Sequence, residues 1–210
     1  MLPFLITAAC SYLLGSIPFG YLLVRILRGQ DVRQTGSGNI GATNVSRTSP
    51  VLGALTLILD GLKGYLAVRV AVVIFNTTTL GSNDARLYPM MAVAALFAII
   101  GHMFPVWLGF RGGKGVATAV GAFLLLAPYA VFAAIAVFLL VALSVRYISL
   151  SSMMAAATFP LFAWLFYRGY FSHLELVPVY LASVLVIARH HQNIVRLLSG
   201  TEPRFQRRLR

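Results

Sequence analysis

Thirty consecutive residues, Val116–Val145, carry no charged side chain. A backbone in lipid must satisfy its own N–H and C=O groups, so such a stretch can be helical or belong to a closed barrel, and little else. Its composition, rich in Ala, Leu, Val and Phe with no two-residue alternation, selects helix. At about 1.5 Å per residue one helix of that length would run ~45 Å, against a hydrocarbon core of ~30 Å. Pro128 lies near the middle. Two short helices with a tight turn at Ala127–Pro128 therefore fit better than one long helix.

The rest of the chain repeats the pattern. Apolar segments are expected at Leu2–Val24, Val51–Phe75, Leu87–Leu108, Val116–Ala127, Pro128–Val145, Leu150–Tyr167 and Leu174–Ala188. Only 10% of the 210 residues are charged, where a soluble domain carries about a quarter. The expectation is a single all-α polytopic membrane domain over 1–210, with seven transmembrane helices, two of them short. Basic residues follow rather than precede the first segment, so it reads as a retained helix and not a cleaved signal. Cys10, the one cysteine, reads as a small packing residue. No internal repeat is visible.

The chain has 17 Lys/Arg against 5 Asp/Glu. In a soluble protein that excess would suggest nucleic acid; here orientation and anionic substrates explain it. With the N-terminus outside and seven alternating helices, the outer loops receive only Arg86 and Arg168, and nearly all other basic residues fall inside. The C-terminus is then cytoplasmic. The outer connection NTTTLGSND, 76–84, reads as a solvated link.

The polar motifs gather on the expected cytoplasmic side. TGSGNIGATNVSRT, 35–48, spells G-x-G-x-x-G through Gly36, Gly38 and Gly41. It lacks the strand before and the acidic residue after that a dinucleotide site requires. What remains is glycine-dense backbone able to form an anion nest, with Ser37, Asn39, Thr43, Asn44 and Arg47 as further donors. FRGGKGVAT, 110–118, sets Gly112, Gly113 and Gly115 around Lys114. It is not a nucleotide P-loop, since Leu108 replaces the first glycine and Gly115 stands where Ser or Thr would bind magnesium. The glycines free the backbone to wrap a phosphate, Lys114 supplies charge, and a helix N-terminus follows.

Ser149, Ser151 and Ser152 in VRYISLSSM read as helix caps or, for Ser149 and Ser152, as phosphate contacts. His190 and Asn193 share one face if the helix continues through them. Asp60 and Lys63 lie inside the second segment, where ionisable groups face the bundle interior. They pair with each other, or Lys63 serves the site. His102 reads as a buried histidine. No G-x-S-x-G elbow, H-x-x-x-x-D pair or metal-ligand cluster is present.

Three stretches, SGNIGATN at 37–44, HMFPVWLGFRGGKGVAT at 102–118 and RHHQNIVRLLSGTE at 189–202, together resemble the bacterial acyl-phosphate-dependent glycerol-3-phosphate acyltransferases (PlsY type). DGLKG at 60–64 and RYISLSS at 146–152 match as well. The resemblance implies a multi-pass enzyme of the bacterial inner membrane, its active site facing the cytoplasm. It would move a fatty acyl group from acyl phosphate to the sn-1 hydroxyl of glycerol 3-phosphate, giving lysophosphatidic acid and phosphate. No cofactor, metal or obligate protein partner is implied. Ser37, Arg47, Lys114, His190 and Asn193 would surround glycerol 3-phosphate, with Ser37, Lys114, His190 and Asn193 catalytic. Gly112, Gly113 and Gly115 would cradle a phosphate by backbone N–H. Asn39, Thr43, Asn44, Lys63, Thr118, Ser149 and Ser152 complete the expected substrate contacts. The hydroxyl proton would pass to His190 or to the acyl phosphate's own oxygens. The alternative is a carrier for phosphate or a phosphorylated solute.

Overall fold

The computed structural model describes residues 1–78, 86–169 and 173–205, with side chains at all of these except 173–175. Most of the expected outer link at 76–84, and the basic residues Arg207, Arg208 and Arg210, lie outside the described residues. Ten α-helices are present among the described residues: α1 Leu2–Ser16, α2 Phe19–Arg28, α3 Ala42–Thr48, α4 Pro50–Thr78, α5 Leu87–Met103, α6 Val116–Leu126, α7 Pro128–Val145, α8 Ile148–Tyr167, α9 His173–Ala188 and α10 His191–Leu198. No strand occurs among the described residues. The chain forms two compact units, Met1–Leu126 and Ala127–Arg210.

Among the described residues, four helical segments are long and apolar enough to cross a membrane: Leu2–Arg28, Leu87–Leu108, Pro128–Val145 and Ile148–Tyr167. α7 shows why lipid is their medium. It leaves Phe132, Leu139, Leu140 and Leu143 at least half exposed, a face that water would not tolerate on a soluble protein of this size.

The first expected segment is not one helix. Pro18 has no N–H to donate, and the residue before a proline is pushed out of the helical region. Ile17 is accordingly extended at φ −61°, ψ 116°, and the chain restarts as α2. The polar stretch 35–48 is likewise not all loop, because α3 occupies its second half. The break expected at Ala127–Pro128 is present: α6 ends at Leu126 and α7 begins at Pro128.

In the first unit, α1, α4, α5 and α6 meet through small residues. A Cβ at Gly15 would collide with the Ala98 carbonyl oxygen, and one at Gly101 with that of Tyr12. α4 and α6 approach in the same way at Gly64 and Gly121. In lipid, apolar helices gain nothing by hiding from solvent, so close backbone contact of this kind supplies the dispersion that holds them. Tyr12 Oη donates to Phe104 O at 2.8 Å, and Trp107 Nε1 to Ser16 Oγ at 2.8 Å, fixing the segment after α5 to the end of α1. Below α2, a small apolar cluster of Val24, Val32, Ile40, Val45 and Leu52 anchors the loop that carries α3.

In the second unit, α7 turns into α8 through Arg146 in the left-handed conformation. The chain after α10 returns to that turn, with Phe205 N donating to Arg146 O at 2.7 Å and Arg204 Nε to Tyr147 Oη at 3.0 Å.

Candidate active site

The loop between α2 and α4 is organised by one side chain. Asn44 is buried; its Nδ2 faces the carbonyls of Val32, Thr35 and Asn39 at 2.9–3.1 Å, and its Oδ1 accepts the Ser37 N–H at 2.9 Å. Asn39 accepts the Gly41 N–H at 2.8 Å in a local turn. Asn44 was expected to face substrate; it holds the loop instead, because a buried amide must be saturated where it sits. Gly36, at φ 56°, admits no side chain: a Cβ would strike Asn44 Oδ1 and crowd the Arg47 guanidinium. Ser37, Thr43 and Arg47 remain exposed on this scaffold. Arg33 is committed elsewhere, to Asp31 at 2.6 Å and over the Tyr21 ring at 4.9 Å. Its hydrogen bonds hold the Asp31 carboxyl below its usual range.

The glycine turn after α5 works by close packing. Gly112 N donates to Met103 O at 3.1 Å and Gly113 N to His102 O at 3.0 Å. A Cβ on Gly112 would meet the His102 carbonyl, and one on Gly113 the His102 ring. The expected cradle of N–H groups at Gly112 and Gly113 is therefore spent within the protein; the sequence could not show that α5 ends under this turn. Gly115, at φ 83°, directs the chain into α6, whose first N–H groups have no partner within the helix. Lys114 sits half-buried just before that start. Thr118, also an expected contact, is fully buried in α6.

Lys63 does pair with Asp60, at 2.9 Å, and its Nζ also donates to Ile17 O at 2.7 Å. Both side chains are almost wholly buried, so Lys63 is a structural cation and not a surface contact.

In the second unit, α9 ends at Ala188 and α10 starts at His191, so the condition that one helix run through His190 and Asn193 is not met; Arg189 and His190 lie between, and His190 is the N-cap of α10. His190 is buried and its Nδ1 lies 2.7 Å from Val186 O. A carbonyl can only accept, so Nδ1 carries a proton. Asn193 is buried too, its Nδ2 donating to Glu202 Oε1 at 2.7 Å. Ser149 Oγ donates to the same oxygen at 2.6 Å, and Arg196 Nε binds Oε2 at 2.7 Å. Burial pushes the Glu202 carboxyl up, but these three donors outweigh it and leave it below its ordinary value. Glu202 is the organising residue that the sequence reading passed over. The available signal was one acid within a basic, membrane-adjacent segment. Ser149 thus holds Glu202. Ser152 donates to Ile148 O at 2.9 Å within α8. None of the serines caps the helix, whose N-cap is Tyr147. Among the described residues no group of His, Cys, Asp and Glu is placed to hold a metal.

Residues 5–200 match the family model described as glycerol-3-phosphate acyltransferase. Curated relatives of that name include a protein of Syntrophotalea carbinolica, 48% identical over 98% of this chain and 100% of its own, and one of Trichlorobacter lovleyi, 51% identical over 94% and 95%. Among solved structures, the glycerol 3-phosphate form of PlsY (YgiH), an integral membrane glycerol 3-phosphate acyltransferase, is similar with a TM-score of 0.83 at 37% identity, covering 97% of this chain and 96% of that one. Its lysophosphatidic acid form gives 0.80 at 35%.

Proposed function

Because this chain belongs to the glycerol-3-phosphate acyltransferase family, and so is an acyltransferase acting on glycerol 3-phosphate, we propose that its acyl donor is an acyl phosphate and its target the sn-1 hydroxyl. The observation that carries the reading is the loop built on Asn44, which leaves Ser37, Thr43 and Arg47 exposed together on glycine-rich backbone. That is a surface for a phosphate ester, in a chain whose solved relatives are glycerol 3-phosphate and lysophosphatidic acid forms. The carrier alternative has no support in these relatives, which bear acyltransferase names.

An acyl phosphate is an activated mixed anhydride, so it asks for no covalent enzyme intermediate. The sn-1 oxygen attacks the acyl carbonyl carbon, the carbonyl–phosphate C–O bond breaks, and phosphate leaves with the bonding pair. Arg47 and Ser37 bind the phosphate of glycerol 3-phosphate. Lys114, with the first N–H groups of α6, neutralises charge that grows on phosphate oxygens. The proton of the acceptor hydroxyl passes to an oxygen of the departing phosphate. Orientation supplies most of the rate, worth about 7–11 kcal/mol for well-placed reactants.

The charge asymmetry of the sequence supports seven spans in a bacterial inner membrane, the N-terminus outside and the chemistry on the cytoplasmic side. The direct test supplies palmitoyl phosphate and glycerol 3-phosphate to the purified protein and follows phosphate and lysophosphatidic acid together. Equal release of both is expected, with no turnover from palmitoyl-CoA and at least about a 100-fold loss in Lys114→Ala. Turnover from palmitoyl-CoA alone would move the donor to a thioester.

A further inference from the structure

The first unit buries three ionisable side chains together. Asp60, Lys63 and His102 are 2%, 3% and 4% exposed. Lys63 and Asp60 already neutralise each other across 2.9 Å, so charge balance gives no reason for a third group. Yet His102 Nδ1 faces the same Asp60 oxygen at 3.6 Å. The other edge of the ring, at Nε2, lies so close to the Gly113 Cα that no Cβ fits between them, and the His102 carbonyl accepts the Gly113 N–H at 3.0 Å. A polar link thus runs from the Ile17 carbonyl through Lys63 to Asp60, and the His102 ring lies beside that pair, 3.6 Å from Asp60, and packs against Gly113, one residue before Lys114.

We infer that His102, seated beside Asp60, is a positioning residue: its ring is the platform against which the Gly112–Gly113 turn is pressed, and so it sets where Lys114 and the first turn of α6 are presented. The inference rests on the reading of Lys114 as a phosphate-binding group. Two physical facts favour a positioning role over simple packing. A polar ring buried beside an ion pair is costly in a membrane protein unless its nitrogens are used. And glycine at 113 exists to admit this ring, since its φ is not in the left-handed range.

The test is steady-state kinetics with both substrates varied, on wild type, His102→Ala, His102→Gln and Lys114→Arg, with unfolding midpoints measured alongside. A displaced Lys114 weakens its hold on one phosphate. His102→Ala is expected to raise the KM of one substrate about tenfold and leave the other within about twofold, since displacing a positioned group by about 1 Å costs up to ~100-fold. Lys114→Arg should raise the same KM. His102→Gln, which keeps an amide near the Nε2 position, should fall between alanine and wild type, and it carries the comparison if the alanine variant does not fold. A drop in kcat with both KM values unchanged would mean only a smaller active fraction and would overturn the inference, as would wild-type behaviour. Wild-type kinetics in Lys114→Arg would sink the Lys114 reading itself, without any change at His102, so the two failures are distinguishable.

Discussion

Asn44 gathers four backbone groups of one loop onto a single amide. Alanine there would strip the amide from the Asn39 carbonyl and the Ser37 N–H, while Val32 O keeps the Thr35 N–H and hydroxyl and Thr35 O keeps the Gly38 N–H, at a cost of about 1–3 kcal/mol. The expected result is cleavage between residues 29 and 49 under limited proteolysis and loss of acyl transfer, with helical circular dichroism unchanged; a protease-resistant, active Asn44→Ala would contradict the assignment. Glu202 organises the other unit. Its folded carboxyl lies below the ordinary 4.5, so its ionised form stabilises the docked tail above that pH. The contribution is lost as pH falls through the folded value. Wild type should therefore unfold later than Glu202→Gln at neutral pH, and the gap should close in acid well below 4.5. A gap that widened on acidification would refute the network. Neither residue's role was readable from motif content, because the partners of Asn44 lie up to 12 positions away and Ser149 stands 53 positions from Glu202. Gly112 and Gly113 were legible as special, but not the reason, which depends on what packs beneath them.

Helix ends divide into those that sequence states and those that packing decides. The stop before Pro128 was legible, since a proline inside thirty apolar residues has few other meanings. Pro18 carries the same chemistry but sits in a segment short enough to pass for a single span, and so the break at Ile17 was not read. α3 was hidden for the opposite reason, being polar and short, without the periodic apolar stripe that marks a helix; the sequence allowed a helix through 191–198, and only the break before it was missed. The Pro18 break has a use. It leaves the Ile17 carbonyl outside any helix, where Lys63 takes it. Lys63→Met would strand Asp60 as an uncompensated buried charge, at about 3–5 kcal/mol. Asp60→Asn/Lys63→Met removes both charges and should be less destabilised than Lys63→Met alone, by chemical unfolding in detergent. If the double variant is the worse of the two, the pair is not the closed unit described.

At the scale of the whole chain, composition alone identified a helical membrane protein, and three separated motifs identified its family. Direction across the bilayer rests on the Lys/Arg asymmetry instead. With the C-terminus inside, a cysteine at Ser199 in a Cys10→Ser background should resist an impermeant maleimide in intact cells and react after lysis. Labelling before lysis would reverse the orientation. Within the first unit, the seam between α4 and α6 has a mechanical consequence. Where Gly64 and Gly121 bring backbone against backbone, no rotamers can reshuffle to absorb a displacement, so the two helices behave as a single welded plate. Compliance for admitting one substrate and releasing another has to reside outside that seam.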